Sequence, residues 1–148
     1  MPIRIKPEDF DIALELAALV AGRDDIGALV TFTGLVRGGD IASLTLEHYP
    51  GMTERALQTL EAEAKRRWPL KACLIIHRVG TLKPRERIVL VAAASQTRAA
   101  AFEAASFLMD HLKTDAPFWK REEKADGTSQ WLDARDADAS AKARWEKP

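Results

Sequence analysis

One cysteine in 148 residues, Cys73, leaves no partner for an internal disulfide. The formal net charge is zero, 22 Lys and Arg against 22 Asp and Glu, so charge favours neither nucleic acid nor a membrane as partner. No apolar run reaches membrane length and no apolar leader opens the chain, and a cytoplasmic protein is expected. There is no Gly-rich phosphate loop of the P-loop or dinucleotide type and no Gly-x-Ser-x-Gly elbow, which sets aside the common nucleotide and acyl-hydrolase chemistries. His48, His77 and His111 lack metal-ligand spacing and no carboxylate pair suggests an acid/base dyad, so no metal and no cofactor is assigned. Cys73 lies in Ala72-Cys73-Leu74-Ile75-Ile76, a setting that suits a buried, inert thiol better than a nucleophile.

What is present is ordinary globular material, 47% hydrophobic and 30% charged, enough for one domain over residues 1–148 with a polar tail from about Asp133. A short strand near Ile3 to Lys6 precedes a helix that Pro7 opens and Gly22 ends, with Phe10, Ala13, Leu14, Ala17 and Ala18 at helical spacing. Gly27 to Val36 and Ile41 to Tyr49, joined by Gly38-Gly39-Asp40, read as a hairpin. Met52 to Trp68 is an amphipathic helix ended by Pro69. Lys71 to Val79 and Arg87 to Ser95 are strands about a Lys83-Pro84-Arg85-Glu86 turn, the former apolar enough for burial on both faces. A third helix carries Phe102, Ala105, Met109 and Leu112 as its apolar stripe and stops before Pro117. Short strands around Phe118 and Trp131 and a possible terminal helix complete an α+β pattern: helices laid on a mostly antiparallel sheet.

The densest chemistry lies in Leu112-Lys113-Thr114-Asp115-Ala116-Pro117-Phe118-Trp119-Lys120-Arg121-Glu122, where three cations and two aromatics surround a helix-breaking proline. Such a local field suits a small, planar anion, although a solvated loop with two core aromatics has the same composition. Arg98 opens the third helix after Ser95-Gln96-Thr97, where the helix dipole opposes a cation. It either holds an anion together with the exposed helix N–H groups or pairs with a nearby carboxylate. Lys113 lies at the favoured end of the dipole, and crowding by Lys120 and Arg121 beside an aromatic wall would make it a better proton acceptor or nucleophile. Arg98 and Lys113 are fifteen positions apart, roughly 22 Å along a helix at about 1.5 Å per residue. A single small ligand then needs Arg98 from one subunit and Lys113 from another, which predicts a homodimer. Arg37, before Gly38-Gly39, is either a further anion contact or a solvated turn residue.

The runs Gly27-Ala28-Leu29-Val30-Thr31-Phe32-Thr33-Gly34-Leu35-Val36-Arg37, Leu44-Thr45-Leu46-Glu47-His48-Tyr49-Pro50-Gly51-Met52, His77-Arg78-Val79-Gly80 and Ala101-Phe102-Glu103-Ala104, with Lys113 to Glu122, closely resemble the large, catalytic subunits of molybdopterin synthase. The likeness runs from about Gly27 through Trp145. It implies an α/β hammerhead fold and a central homodimer. A small ubiquitin-like sulfur-carrier subunit would sit at each end, making a heterotetramer. The partner would deliver sulfur as a C-terminal Gly-Gly thiocarboxylate, and the substrate would be cyclic pyranopterin monophosphate, precursor Z, converted to the molybdopterin dithiolene. By the same resemblance, Lys113 and Lys120 are the catalytic pair, and Phe32, Arg37, Arg98 and Arg135 bind substrate, Arg135 reaching a neighbouring subunit's pocket. Two departures stand out. Thr97 precedes Arg98 where such sequences commonly have histidine, and threonine is no imidazole acid/base. The loop after Arg37 is only Gly38-Gly39-Asp40.

Overall fold

The computed structural model describes residues 2–132 and 142–146. Its elements are β1 (Ile3–Lys6), α1 (Ile12–Val20), β2 (Ala28–Leu35), β3 (Ile41–His48), α2 (Met52–Arg67), β4 (Leu70–Arg78), β5 (Gly80–Leu82), β6 (Arg87–Ser95), α3 (Arg98–Asp115), β7 (Phe118–Lys124) and β8 (Ser129–Leu132). The α+β class is as expected. Two four-stranded sheets form, ordered β1-β4-β6-β2 and β5-β3-β7-β8, and β1 with β4 is the parallel pair.

β4 and β6 form the centre because they can be buried on both faces. Cys73, Ile75, Val89 and Val91 face Leu57, Leu60, Phe107, Leu108 and Leu112 of α2 and α3. The alternate residues Leu74, Ile76, Leu90 and Ala92 pack under Phe10 and the α1 residues Ile12, Leu16 and Leu19. A period-2 strand with apolar side chains at both parities demands two covering layers, and the helices supply them. Ala93, Ala104 and Ala105 are small where α3 comes down on β6.

Three sequence expectations are corrected. The β2–β3 hairpin does not form: β2 pairs antiparallel with β6 from Ala28 opposite Ser95, whereas β3 lies between β5 and β7 in the other sheet. Gly38-Gly39-Asp40 allows a reversal, but the apolar β6 edge offers β2 more burial than β3 can. The first helix begins at Ile12, not Pro7, because the Asp11 carboxylate accepts from the Leu14 N–H at 3.1 Å and so caps it. Phe10 therefore precedes the helix and is buried beside it. Of the stripe expected on α3, Ala105, Met109 and Leu112 are buried, but Phe102 is 59% exposed, and the packed face takes in Ala101, Ala104 and Leu108 in its place.

Of the terminal segment, residues 133–141 lie outside the described residues, which includes Arg135 and most of the expected terminal helix. Beyond them Trp145 packs edge-on against Trp68 and Phe107, and its indole N–H donates to Asp110 at 2.7 Å. Arg144 pairs with the same carboxylate at 2.8 Å, and Lys142 with Asp115 at 2.6 Å.

Candidate functional site

A cleft of about 920 Å³ opens where the two sheets meet the C-terminal end of α3. Each wall has a local cause. Along β2 the register slips between Gly34 and Leu35, a bulge that re-aims the chain toward Val36 and Arg37. Gly34 suits that bend, because a Cβ there would meet Val89 Cγ1 at 2.9 Å. Phe32, half out in solvent, and Arg37 line this side.

The opposite wall follows from Pro117. The proline forbids helix continuation, so α3 stops at Asp115 and the chain re-enters as β7. Buried Thr53 fixes that turn, donating its hydroxyl to the Pro117 carbonyl and accepting from the Tyr49 N–H, both at 3.0 Å. Strand alternation then puts Phe118, Lys120 and Glu122 on the cleft face of β7, opposite Lys113 and Thr114 from the end of α3. Trp119 and Arg121 point elsewhere. Trp119 meets Tyr49 edge-on at 4.9 Å, and the Arg121 guanidinium lies 5.5 Å from the Trp131 ring centroid.

Of the residues expected from sequence, Phe32, Arg37, Lys113 and Lys120 thus come together in one cleft, from β2, the loop after it, α3 and β7. Arg98 does not join them. It is exposed at the far end of α3 and makes no ion pair among the described residues, so the carboxylate pairing considered for it is not formed there. Thr97 is the N-cap by position but its side chain makes no capping hydrogen bond. Cys73 faces the core, and burial, with Glu61 nearby, pushes its thiol up to about 12, too high for a thiolate near neutral pH.

Sequence reasoning missed His77. It lines the cleft yet is only 3% exposed, and it stacks on Phe118 with centroids 3.8 Å apart. Its neighbour Arg78 is structural: Nε and Nη2 donate to the Pro7 carbonyl at 3.1 and 3.0 Å, and Nη1 reaches Glu86 at 3.3 Å. The 41 positions that separate His77 from Phe118 hide the stack from any local pattern; only the apolar run of β4 hinted that His77 would be buried.

Burial pushes His77 down to about 3, with the charges of Lys120 and His48 adding to the effect. A base depressed in the folded state protonates first in the unfolded chain, so stability drains away as pH falls from about 6.5 toward 3. The slope for one proton is at most about 1.4 kcal/mol per pH unit. Asp9 and Glu63, each held at about 2 chiefly by hydrogen bonds from arginine, withdraw their stabilisation only at lower pH. Urea midpoints should therefore fall between pH 6.5 and 5, and His77→Phe should flatten that decline; an equal decline in the variant would assign it to other groups.

Comparison with known proteins agrees across the chain. A profile of the family described as MoaE protein matches residues 5–115. The chain is 53% identical over 151 aligned positions to the molybdopterin synthase catalytic subunit of Brucella melitensis biotype 1, spanning 100% of this chain and 93% of that one. Among solved structures, it is 51% identical to the molybdopterin biosynthesis MoaE protein of Burkholderia ambifaria, with a TM-score of 0.85 over 99% of this chain and 98% of the other. Molybdopterin synthase from Staphylococcus aureus superposes with a TM-score of 0.80 at 31% identity, over 87% of this chain and 95% of its own.

Proposed function

The chain belongs to the MoaE protein family, and from that premise we propose that it is the catalytic subunit of a molybdopterin synthase, converting precursor Z to molybdopterin with sulfur from a small ubiquitin-like partner. The observation that carries this reading is the convergence of Phe32, Arg37, Lys113 and Lys120 on one cleft. Arg37 neutralises the substrate phosphate, Lys120 stabilises the charge that develops at the reacting centre as sulfur is transferred, and the exposed face of Phe32 takes the flat pterin. Lys113 stands where the partner's Gly-Gly thiocarboxylate enters and handles protons or a transient acyl contact. In each delivery the thiocarboxylate sulfur bonds a side-chain carbon of the pterin, which gives up an oxygen substituent, and water cleaves the acyl C–S bond to leave the partner as its carboxylate, so a dithiolene consumes two donors. External sulfur supply matches a chain whose cysteine is buried away from the cleft. A lone free thiol and a thiocarboxylate donor also suit the reduced thiol pool of the cytoplasm.

The working unit in this reading is a homodimer with one small subunit at each end, each protomer a single domain over residues 1–148. Arg98 and Phe102, one helical turn apart and both exposed, offer a face for the second copy beside β2, which is an edge strand among the described residues. Arg98 of one protomer then serves the cleft of the other, as Arg135 does in the same scheme. Mixing Arg98→Ala with Lys113→Ala protein should restore up to about a quarter of wild-type turnover through mixed dimers with one intact site. Turnover of the mixture no higher than that of the two variants apart would exclude a shared site.

A second reading, a homologue that binds the partner or an anionic pterin without turnover, is favoured by Thr97 where histidine is common. Incubation with thiocarboxylated small subunit and precursor Z separates the two. Dithiolene product supports the synthase; demonstrated partner binding without product supports the binding homologue.

A further inference from the structure

His77 has no part in the assignment above, yet its surroundings are specific. Nδ1 lies 2.8 Å from the main-chain oxygen of Arg78. A carbonyl only accepts, so Nδ1 carries the proton and, in a neutral ring, Nε2 keeps its lone pair. The ring lies nearly parallel to Phe118, at 16°, and forms part of the cleft wall. Phe118 and Lys120 are adjacent on one face of β7, so the ring that stacks on His77 is the same-face neighbour of Lys120. Lys120 is close enough for its charge to act on the imidazole, and burial keeps that imidazole neutral at pH 7. An aliphatic side chain would fill the space without the cost of burying a polar ring, so the nitrogen needs a task.

We propose that His77 is a positioning residue for Lys120: Nδ1–H and the ring face fix the imidazole against Arg78 and Phe118, and the Nε2 lone pair holds the Lys120 ammonium toward the cleft. The proposal rests on Lys120 working in sulfur transfer. It adds a neutral acceptor to a site whose assigned polar groups are cations. A second cation at this position would repel Lys120, whereas a neutral acceptor directs it without competing for the substrate phosphate.

The test combines a spectroscopic and a kinetic arm, both on the full chain, the second with its small subunit. Nitrogen-15 NMR of the histidine rings at pH 7 should show His77 with Nδ1 protonated and Nε2 bare. Lys120→Met should then move the Nε2 resonance more than that of Nδ1. In turnover, His77→Phe, which keeps the aromatic stack, should lower kcat by about 10-fold or more while KM for precursor Z and the melting temperature hold. His77→Gln, whose side-chain oxygen can stand near the Nε2 position, should recover part of the loss. An Nε2–H tautomer, an Nε2 signal indifferent to Lys120→Met, or wild-type kcat in His77→Phe would each overturn the proposal. Should His77→Phe fail to fold, the NMR arm still decides. Should wild type itself form no product, the synthase reading fails while the NMR arm continues to judge His77.

Discussion

Lys113→Ala is expected to lower kcat for dithiolene formation by about 10²–10³-fold, the range set by removing a proton-transfer or charge-stabilising group from an organised site. Affinity for the small subunit should change little, because Lys113 is one exposed side chain at a cleft whose other walls come from β2, β7 and β8. Its placement is favourable. It belongs to the last turn of α3, where the helix dipole supports a cation. Lys113→Arg separates the two roles open to it. Arginine keeps the charge but holds its proton at neutral pH and is no nucleophile, so retained turnover would reduce Lys113 to an electrostatic contact. Loss in both variants is the expected result, read by product formation at saturating partner.

Phe107→Ala should cost about 3–5 kcal/mol of stability, as large aromatic truncations in a packed core do. Phe107 is 1% exposed and meets Trp68 at 5.3 Å, His111 at 4.2 Å and Trp145 at 5.6 Å between ring centroids. The Arg67 guanidinium covers its face at 4.9 Å. Truncation therefore loosens α2, the terminal Trp145 and the helix that carries Lys113 together. For a chain of this length the melting temperature should drop by roughly 10 °C. Phe102→Ala, on the exposed side of the same helix, should stay within about 0.5 kcal/mol of wild type in the monomer. Equal losses in the two variants would contradict the packing described.

That contrast shows where the chain was legible and where it was not. Of the expected stripe Phe102, Ala105, Met109, Leu112 the last three are buried, but the packed face turns away from Phe102 and takes in Ala101, Ala104 and Leu108, so that alanines lie where the helix meets the sheet. Alanines pack because they allow close approach, which a search for large apolar residues passes over. β4 and β6 could be read from their unbroken apolar runs, which demand two covering layers. The partner of β2 could not, since strand pairing depends on which distant edge offers the most burial, and β5 was too short at three residues to announce itself. In the site, Phe32, Arg37, Lys113 and Lys120 were legible through resemblance, and the structure gathers them. His77 was not, because a buried histidine becomes informative only once Phe118 lies across it.

In the proposed reaction this cleft moves sulfur from a partner's C-terminus into a pterin. Its most direct test follows the atom itself. Wild-type chain is incubated with small subunit carrying a sulfur-34 thiocarboxylate and with precursor Z, and the product is read by mass spectrometry. The expected product is a dithiolene labelled at both sulfurs, with two partner chains converted to carboxylate per product. Unlabelled product, or partner that binds and keeps its label, would contradict it.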